Sequence, residues 1–291
     1  MELKFNSNAF AFILPEEVSI KDLLELYAGV LQKKESDWIL IFWDQCKVFP
    51  SECVCLLRCM FQNDTFRTAS HTNFENSVVY PYFKNILDYN IEEIESVIEK
   101  RDFFLSSAKD EETINSRKKQ MLDYLLSHNT LKGFDLTGIE QIFGELYMNI
   151  CQHSGDENGL VYIPDFTGEE YLTIIFVDLG RGIAKNIKDY FPEYIEKSDI
   201  DAIEFATNDW ITTKSTPQNY GRGLAHLLTI SDALQGEVII ISGQGKLIRS
   251  NNENQKQLFD EYFPGTLISA KLNLRNFEKQ ELQFFNEDID F

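Results

Sequence analysis

The stretch Phe143–Ser154 reads FGELYMNICQHS and lies inside a helical pattern that carries one narrow polar stripe. Ile139, Ile142, Phe143, Leu146, Tyr147 and Ile150 recur at the three-and-four spacing of a buried helix face. Gln141, Glu145, Asn149 and His153 fall every fourth residue, so their side chains line one edge of that helix. An acid and an amide one turn apart suit a phosphate-bound Mg²⁺ site. The amide oxygen can ligate the metal, and the carboxylate can orient or deprotonate a nucleophile. A solvated helix edge could carry the same residues, so the stripe needs support from elsewhere in the chain.

Two glycine-rich segments downstream supply that support. Phe176–Ile183 reads FVDLGRGI: an apolar strand delivers Asp178, and two glycines let the backbone turn close to a flat ligand. The carboxylate is placed to accept a hydrogen bond from an exocyclic amine. Asn219–Leu227 reads NYGRGLAHL, with paired glycines where a helix begins. Free backbone N–H groups and a positive dipole end there suit phosphate, and Arg222 can add charge. A last piece, Gly265–Ala270 (GTLISA), opens the final strand.

In their order and spacing these segments resemble the ATP-binding domain of the GHKL superfamily, which includes gyrase B subunits, large heat-shock chaperones and sensor histidine kinases. Glu145 and Asn149 match the N box, Asp178–Gly182 the first glycine box, Gly221–Leu224 the second, and Gly265-Thr266 the terminal Gly-Thr. Thr212-Thr213-Lys214-Ser215 resembles the lid sequence ahead of the second glycine box. The resemblance covers residues 131–276 and implies a Bergerat-type α/β sandwich with Mg·ATP between a helical layer and a lid. By position it makes Asn149 the Mg²⁺ ligand, Asp178 the acceptor of the adenine amine and Glu145 the general base. It gives Gly180, Gly182 and Ile183 to the adenine pocket, with Thr266 closing its side. Gly221, Arg222, Gly223, Leu224 and Lys214 go to the phosphates. Glu145, Asn149 and His153 followed by Ser154 look most like the N box of anti-sigma-factor serine kinases. His153 has two readings: a nucleotide contact, or a helix-end histidine favoured by the carbonyl dipole. His226 reads as packed beside the second glycine box rather than catalytic.

Working outward, the first 82 residues read as a small α/β unit. Phe10–Leu14 and Trp38–Trp43 are strands, and Ser19–Leu31 and Ser51–Phe61 are helices. This unit bears a fainter likeness to STAS domains, in which a strand ending in Asp leads to a helix beginning near a phosphorylatable serine. Asp44 and Ser51 hold those places, but the loop reads VFPSE instead of Asp-Ser-Ser-Gly, and Ser51 also reads as a plain helix N-cap. Residues 83–130 read as a helical connector, with helices over Asn90–Leu105 and Asp110–Ser127 around the polar stretch Ser106–Asp110. Thr137 and Glu140 are spaced as a capping box for the helix over 138–153. Strands are expected at Gly159–Asp165, Tyr171–Asp178, Glu237–Ser242, Lys246–Arg249 and Gly265–Leu274, and a helix at Arg222–Leu234. Helical pieces are expected across 182–208, a lid over roughly 184–220, and an acidic, frayed tail over 277–291.

Composition narrows the functions. The 291 residues are 43% hydrophobic and 13% aromatic, enough for packed cores. A formal charge of −20 without a dense basic run argues against nucleic acid or anionic lipid as partner. Five cysteines without a framework suit a reducing compartment, and the Cys53, Cys55, Cys59 cluster reads as core rather than zinc. The apolar runs are far shorter than the roughly 18 residues of a spanning helix, and no secretory leader is evident, so the cytoplasm is expected. His128 lacks the acidic neighbour of a phosphoacceptor histidine, which disfavours a conventional sensor kinase. What remains is a Mg·ATP-binding regulator of a protein partner. It is either an ATPase switch, an anti-sigma-type serine kinase or a catalytically inactive nucleotide-binding module. A homodimer through the connector or the N-terminal unit is compatible with each.

Overall fold

The structure, a computed structural model, describes residues 2–6, 9–33, 38–61, 69–72, 74–78, 104–108, 111–153, 159–208, 211 and 223–280. The chain forms mixed α/β architecture with two sheets. In the first, β1 (Glu2–Asn6), β2 (Ala9–Ile13), β3 (Trp38–Phe42) and β4 (Ser70–Thr72) lie in that order. β2, β3 and β4 run parallel, with β1 antiparallel at the edge. Two crossover helices follow from the parallel pairing: α1 (Ile20–Leu31) and α2 (Ser51–Met60). A capping box starts α1, since Ser19 Oγ accepts the Asp22 N–H at 3.3 Å and the Asp22 carboxylate accepts the Ser19 N–H at 2.8 Å.

The second sheet is antiparallel throughout, in the order β5 (Phe104–Ala108), β6 (Gly159–Ile163), β7 (Tyr171–Asp178), β9 (Glu253–Asn273), β8 (Glu237–Ser250). Strict alternation divides its side chains between two cores. Val161, Ile174, Phe176, Val238, Ile240, Ile268 and Ala270 point to a helical layer. That layer holds α3 (Ile114–Ser127), α4 (Thr137–His153), α5 (Ile183–Tyr190), α6 (Asp199–Ala206) and α7 (Gly223–Ala233). Leu160, Tyr162, Ile175, Val177, Ile241 and Leu267 point the other way, into a core shared with α1, α2 and the inward residues Phe12, Ile39 and Ile41 of the first sheet. The two N-terminal helices are therefore packed between the sheets. Ser269 Oγ donates to Glu52 of α2 at 2.8 Å, and the Cys59 thiol lies 3.7 Å from the Val177 carbonyl.

Several expectations are corrected. Phe104 and Leu105, expected to end a helix, and Ser106–Ala108 of the polar stretch form β5; the rest of Asn90–Leu105 and residues 109–110 lie outside the described residues. Strand pairing with β6 outweighs the local helical pattern there. The expected capping box of α4 is replaced: Asp135 accepts both the Thr137 N–H at 2.9 Å and its hydroxyl, while Glu140 pairs with Lys118 at 3.0 Å. Ser51 is the first residue of α2, and the N-cap position belongs to Pro50. The strand expected to Asp165 ends at Ile163, because Asp165 turns to accept the Thr167 N–H. The helical pieces expected across 182–208 are the two helices α5 and α6; Ile187, Ile200, Ala202 and Ile203 are buried, so this part of the expected lid is packed into the core, and 212–220 lies outside the described residues. The two short strands after α7 are one strand that turns through Asn251-Asn252, both with left-handed φ, into the 21-residue β9. Phe277, expected in the tail, is buried beside Phe134, and Asn276 donates to the Leu234 carbonyl at 3.0 Å. Cys53, Cys55 and Cys59 are buried in the core, as expected, and Cys46 is buried with them. Among the described residues no helix is long and apolar enough to cross a membrane.

Candidate functional site

The site begins with a polar row on an apolar sheet face. Asp178 pairs with Thr266, and Thr266 pairs with Ser242, so three polar side chains lie in line across β7, β9 and β8. Alternation puts all three on the helix-facing side, one row beyond Phe176, Ile268 and Ile240. Asp178 is only 5% exposed, and its carboxylate accepts the Gly180 N–H at 2.8 Å, which folds the chain back at the strand end.

The loop then enters α5 through Gly182, whose φ of +74° is the left-handed region that glycine adopts without strain. A β-carbon there would stand 2.5 Å from both the Gly265 carbonyl oxygen and Ser242 Oγ. Gly182 occupies the N-cap position of α5 and has no side chain to cap it. The cap comes from the sheet instead. Thr266 Oγ1 accepts the Ile183 N–H at 3.2 Å, and Ser242 Oγ accepts the Ala184 N–H at 3.3 Å.

Helix α4 meets this row at one end of the sheet. Phe143 of α4 packs on Phe176 of β7, ring centroids 6.1 Å apart. A β-carbon on Gly159 would stand 1.9 Å from Ile150 and 3.2 Å from the Val177 carbonyl, so the last turn of α4 lies near the end of β7 that carries Asp178. Tyr147 anchors the helix, its hydroxyl 3.2 Å from Thr113, and burial raises its phenol above the usual range. On the opposite edge Glu145 is half-buried and Asn149 exposed. Gly223, the first residue of α7, presses against both: a β-carbon there would lie 2.8 Å from the Glu145 carboxylate and 3.5 Å from the Asn149 amide nitrogen.

The structure thus brings together Glu145, Asn149 and Gly223 on one side, and Asp178, Gly180, Gly182, Ile183 and Thr266 on the other. Leu224 is buried behind Gly223. Lys214, Gly221 and Arg222 lie outside the described residues, as does the side chain of His153. His226 is half-buried in α7. His128 stacks on Phe166 at 4.2 Å, with Nε2 3.6 Å from Asp165 and Nδ1 3.0 Å from the Tyr124 carbonyl. Ser242 was not among the residues expected at the site. A signal for it exists in the sequence: Val238 and Ile240 alternate inward, so the next inward place holds a serine where an apolar residue is usual.

Among the described residues no group of three or more His, Cys, Asp or Glu could hold a metal ion. A site built from one amide and phosphate oxygens is of a different kind. Compared with known proteins, the chain matches no family model and no curated protein.

Proposed function

We propose that this chain binds Mg·ATP in a Bergerat-type pocket of the GHKL kind, with a STAS-like unit ahead of it, and that ATP controls a protein partner. The observation that carries the reading is the convergence of motif residues more than 110 positions apart in sequence onto one end of one sheet. The Asp178–Thr266 pair supports an adenine edge, where a buried carboxylate accepts an exocyclic amine. The close approach of Gly223 to Glu145 and Asn149 supports a phosphate edge, where a helix begins against an acid and an amide.

In this reading each side chain has a separate task. Asp178 selects adenine over guanine, whose oxo group would face the carboxylate as a second acceptor. Asn149 offers its amide oxygen to Mg²⁺, which supplies charge neutralisation for the phosphates when bound. Glu145 accepts a proton from the attacking hydroxyl or water. An ATPase and a serine kinase differ only in what brings that hydroxyl.

Titration calorimetry with Mg·ATP tests the reading directly, with saturable one-site binding expected. No heat of binding, with ATP likewise failing to raise the melting temperature, removes it. Incubation with γ-labelled ATP then separates the activities: free phosphate marks a hydrolase, label on protein marks a kinase, and neither marks a binding module.

A further inference from the structure

We infer that Ser242 is a positioning residue for adenine recognition, acting through the loop that carries Asp178; the inference rests on the nucleotide reading above. Ser242 is 1% exposed and belongs to the polar row, and its hydroxyl bonds two backbone groups. It donates to the Gly265 carbonyl at 2.8 Å and accepts the Ala184 N–H at 3.3 Å. One hydroxyl therefore ties three pieces: its own strand β8 at its register shift, the Gly265-Thr266 segment of β9, and the first turn of α5.

Those pieces hold both ends of the Asp178 loop. The loop leaves β7 at Asp178 and ends at Gly182, with Ile183 fastened by Thr266 and Ala184 by Ser242. A β-carbon on Gly265 would stand 1.9 Å from the Asp178 carbonyl oxygen, so any shift of Gly265 is felt at the backbone of Asp178. The glycine at 182 removes the side chain that would otherwise fill the space of the Ser242 hydroxyl. Without that hydroxyl the Ala184 N–H and the Gly265 carbonyl lose a buried partner, and the strand–loop–helix joint loosens. The carboxylate of Asp178 then stays present but is held less well, which costs recognition of a base whose amine must meet it within hydrogen-bond reach.

The test compares ATP and GTP affinity by calorimetry in the full chain and in Ser242→Ala. The native chain is expected to prefer ATP. Ser242→Ala is expected to bind ATP about tenfold more weakly, the loss of one buried hydrogen-bond link, while GTP binding stays within twofold. The ATP-to-GTP ratio therefore collapses, which a merely structural loss would not produce. Unchanged ATP affinity, or equal losses on both nucleotides, overturns the role of Ser242 while leaving the nucleotide site in place. A native chain that binds no ATP overturns the nucleotide reading and this inference with it. Should Ser242→Ala lose the native circular dichroism spectrum, Ser242→Cys keeps the bulk and weakens the donor, and the same ratio decides.

Discussion

At the scale of single residues, two edges of the site carry different chemistry and separate in their mutants. Asp178→Asn keeps the shape but presents an amide where an acceptor is wanted. The loss of a charge-assisted bond and the mismatch left behind should cost about 2–3 kcal/mol of ATP affinity. Calorimetry giving the native affinity for Asp178→Asn would remove this carboxylate from the site. On the other edge, Glu145→Ala should leave nucleotide binding largely intact and slow any turnover about 10²–10⁴-fold, the usual reach of a general base. Asn149→Ala should instead weaken the Mg²⁺-dependent part of binding, measured as the difference in affinity with and without the metal. Equal affinity losses in both variants would show that Glu145 is not acting as a base. The contact of both residues with Gly223 adds a constraint that the sequence does not reveal. Any side chain at 223 must displace the Glu145 carboxylate, so packing alone already requires glycine there.

At the scale of elements, legibility follows the strength of the periodic signal. α1, β3, β7 and α4 were readable because each carries an unbroken apolar period of its own. β5 and the first part of β9, which returns from the Asn251-Asn252 turn, were not. Glu253–Leu258 is exposed and polar, and its strand conformation comes from its partner Gly245–Ser250 rather than from its own pattern. The turn at Gly180–Gly182 was legible, but the cap of α5 was not, because its donors find hydroxyls on two distant strands. α2 illustrates a further consequence of burial. Desolvation pushes the Cys46 thiol up to about 11 and those of Cys53 and Cys55 higher still. The native state thus keeps protons that the unfolded chain releases above the ordinary thiol value of about 8.5. Unfolding therefore releases protons in that range, and stability must fall as pH rises from about 8.5 toward 11, with the thiol contribution intact below it. Urea midpoints measured across that window should decline, and less steeply in Cys55→Ala. An identical slope in that variant would mean that Cys55 contributes nothing to the alkaline loss. The same burial should keep Cys53 and Cys55 unreactive toward a thiol reagent until urea is added.

At the scale of the whole molecule, the N-terminal helices form a layer of the structure that floors the candidate site. Val177 and Leu179 flank Asp178, Leu267 follows Thr266, and Ile241 precedes Ser242; all four belong to the core that α1 and α2 complete. The strands that present the polar row on one face thus rest on the N-terminal unit with the other. A covered apolar face of this kind couples the stability of the two units, because neither can leave without exposing the other. Glu52, Leu56 and Cys59 recur at the spacing of one face of α2, and two of the three touch the second sheet directly. Leu56 is fully buried in that core, so Leu56→Ala should cost about 2–5 kcal/mol, the range for a large aliphatic side chain truncated in a packed interior. The 291-residue chain should unfold in urea in one transition, with tryptophan fluorescence and far-ultraviolet circular dichroism coincident, and Leu56→Ala should lower that single midpoint. Under native conditions the same variant should also weaken ATP binding, since the strands carrying Asp178, Thr266 and Ser242 lose part of their support. Two separate transitions, with native ATP affinity in Leu56→Ala, would show that the units are independent and that the N-terminal layer has no hold on the nucleotide site.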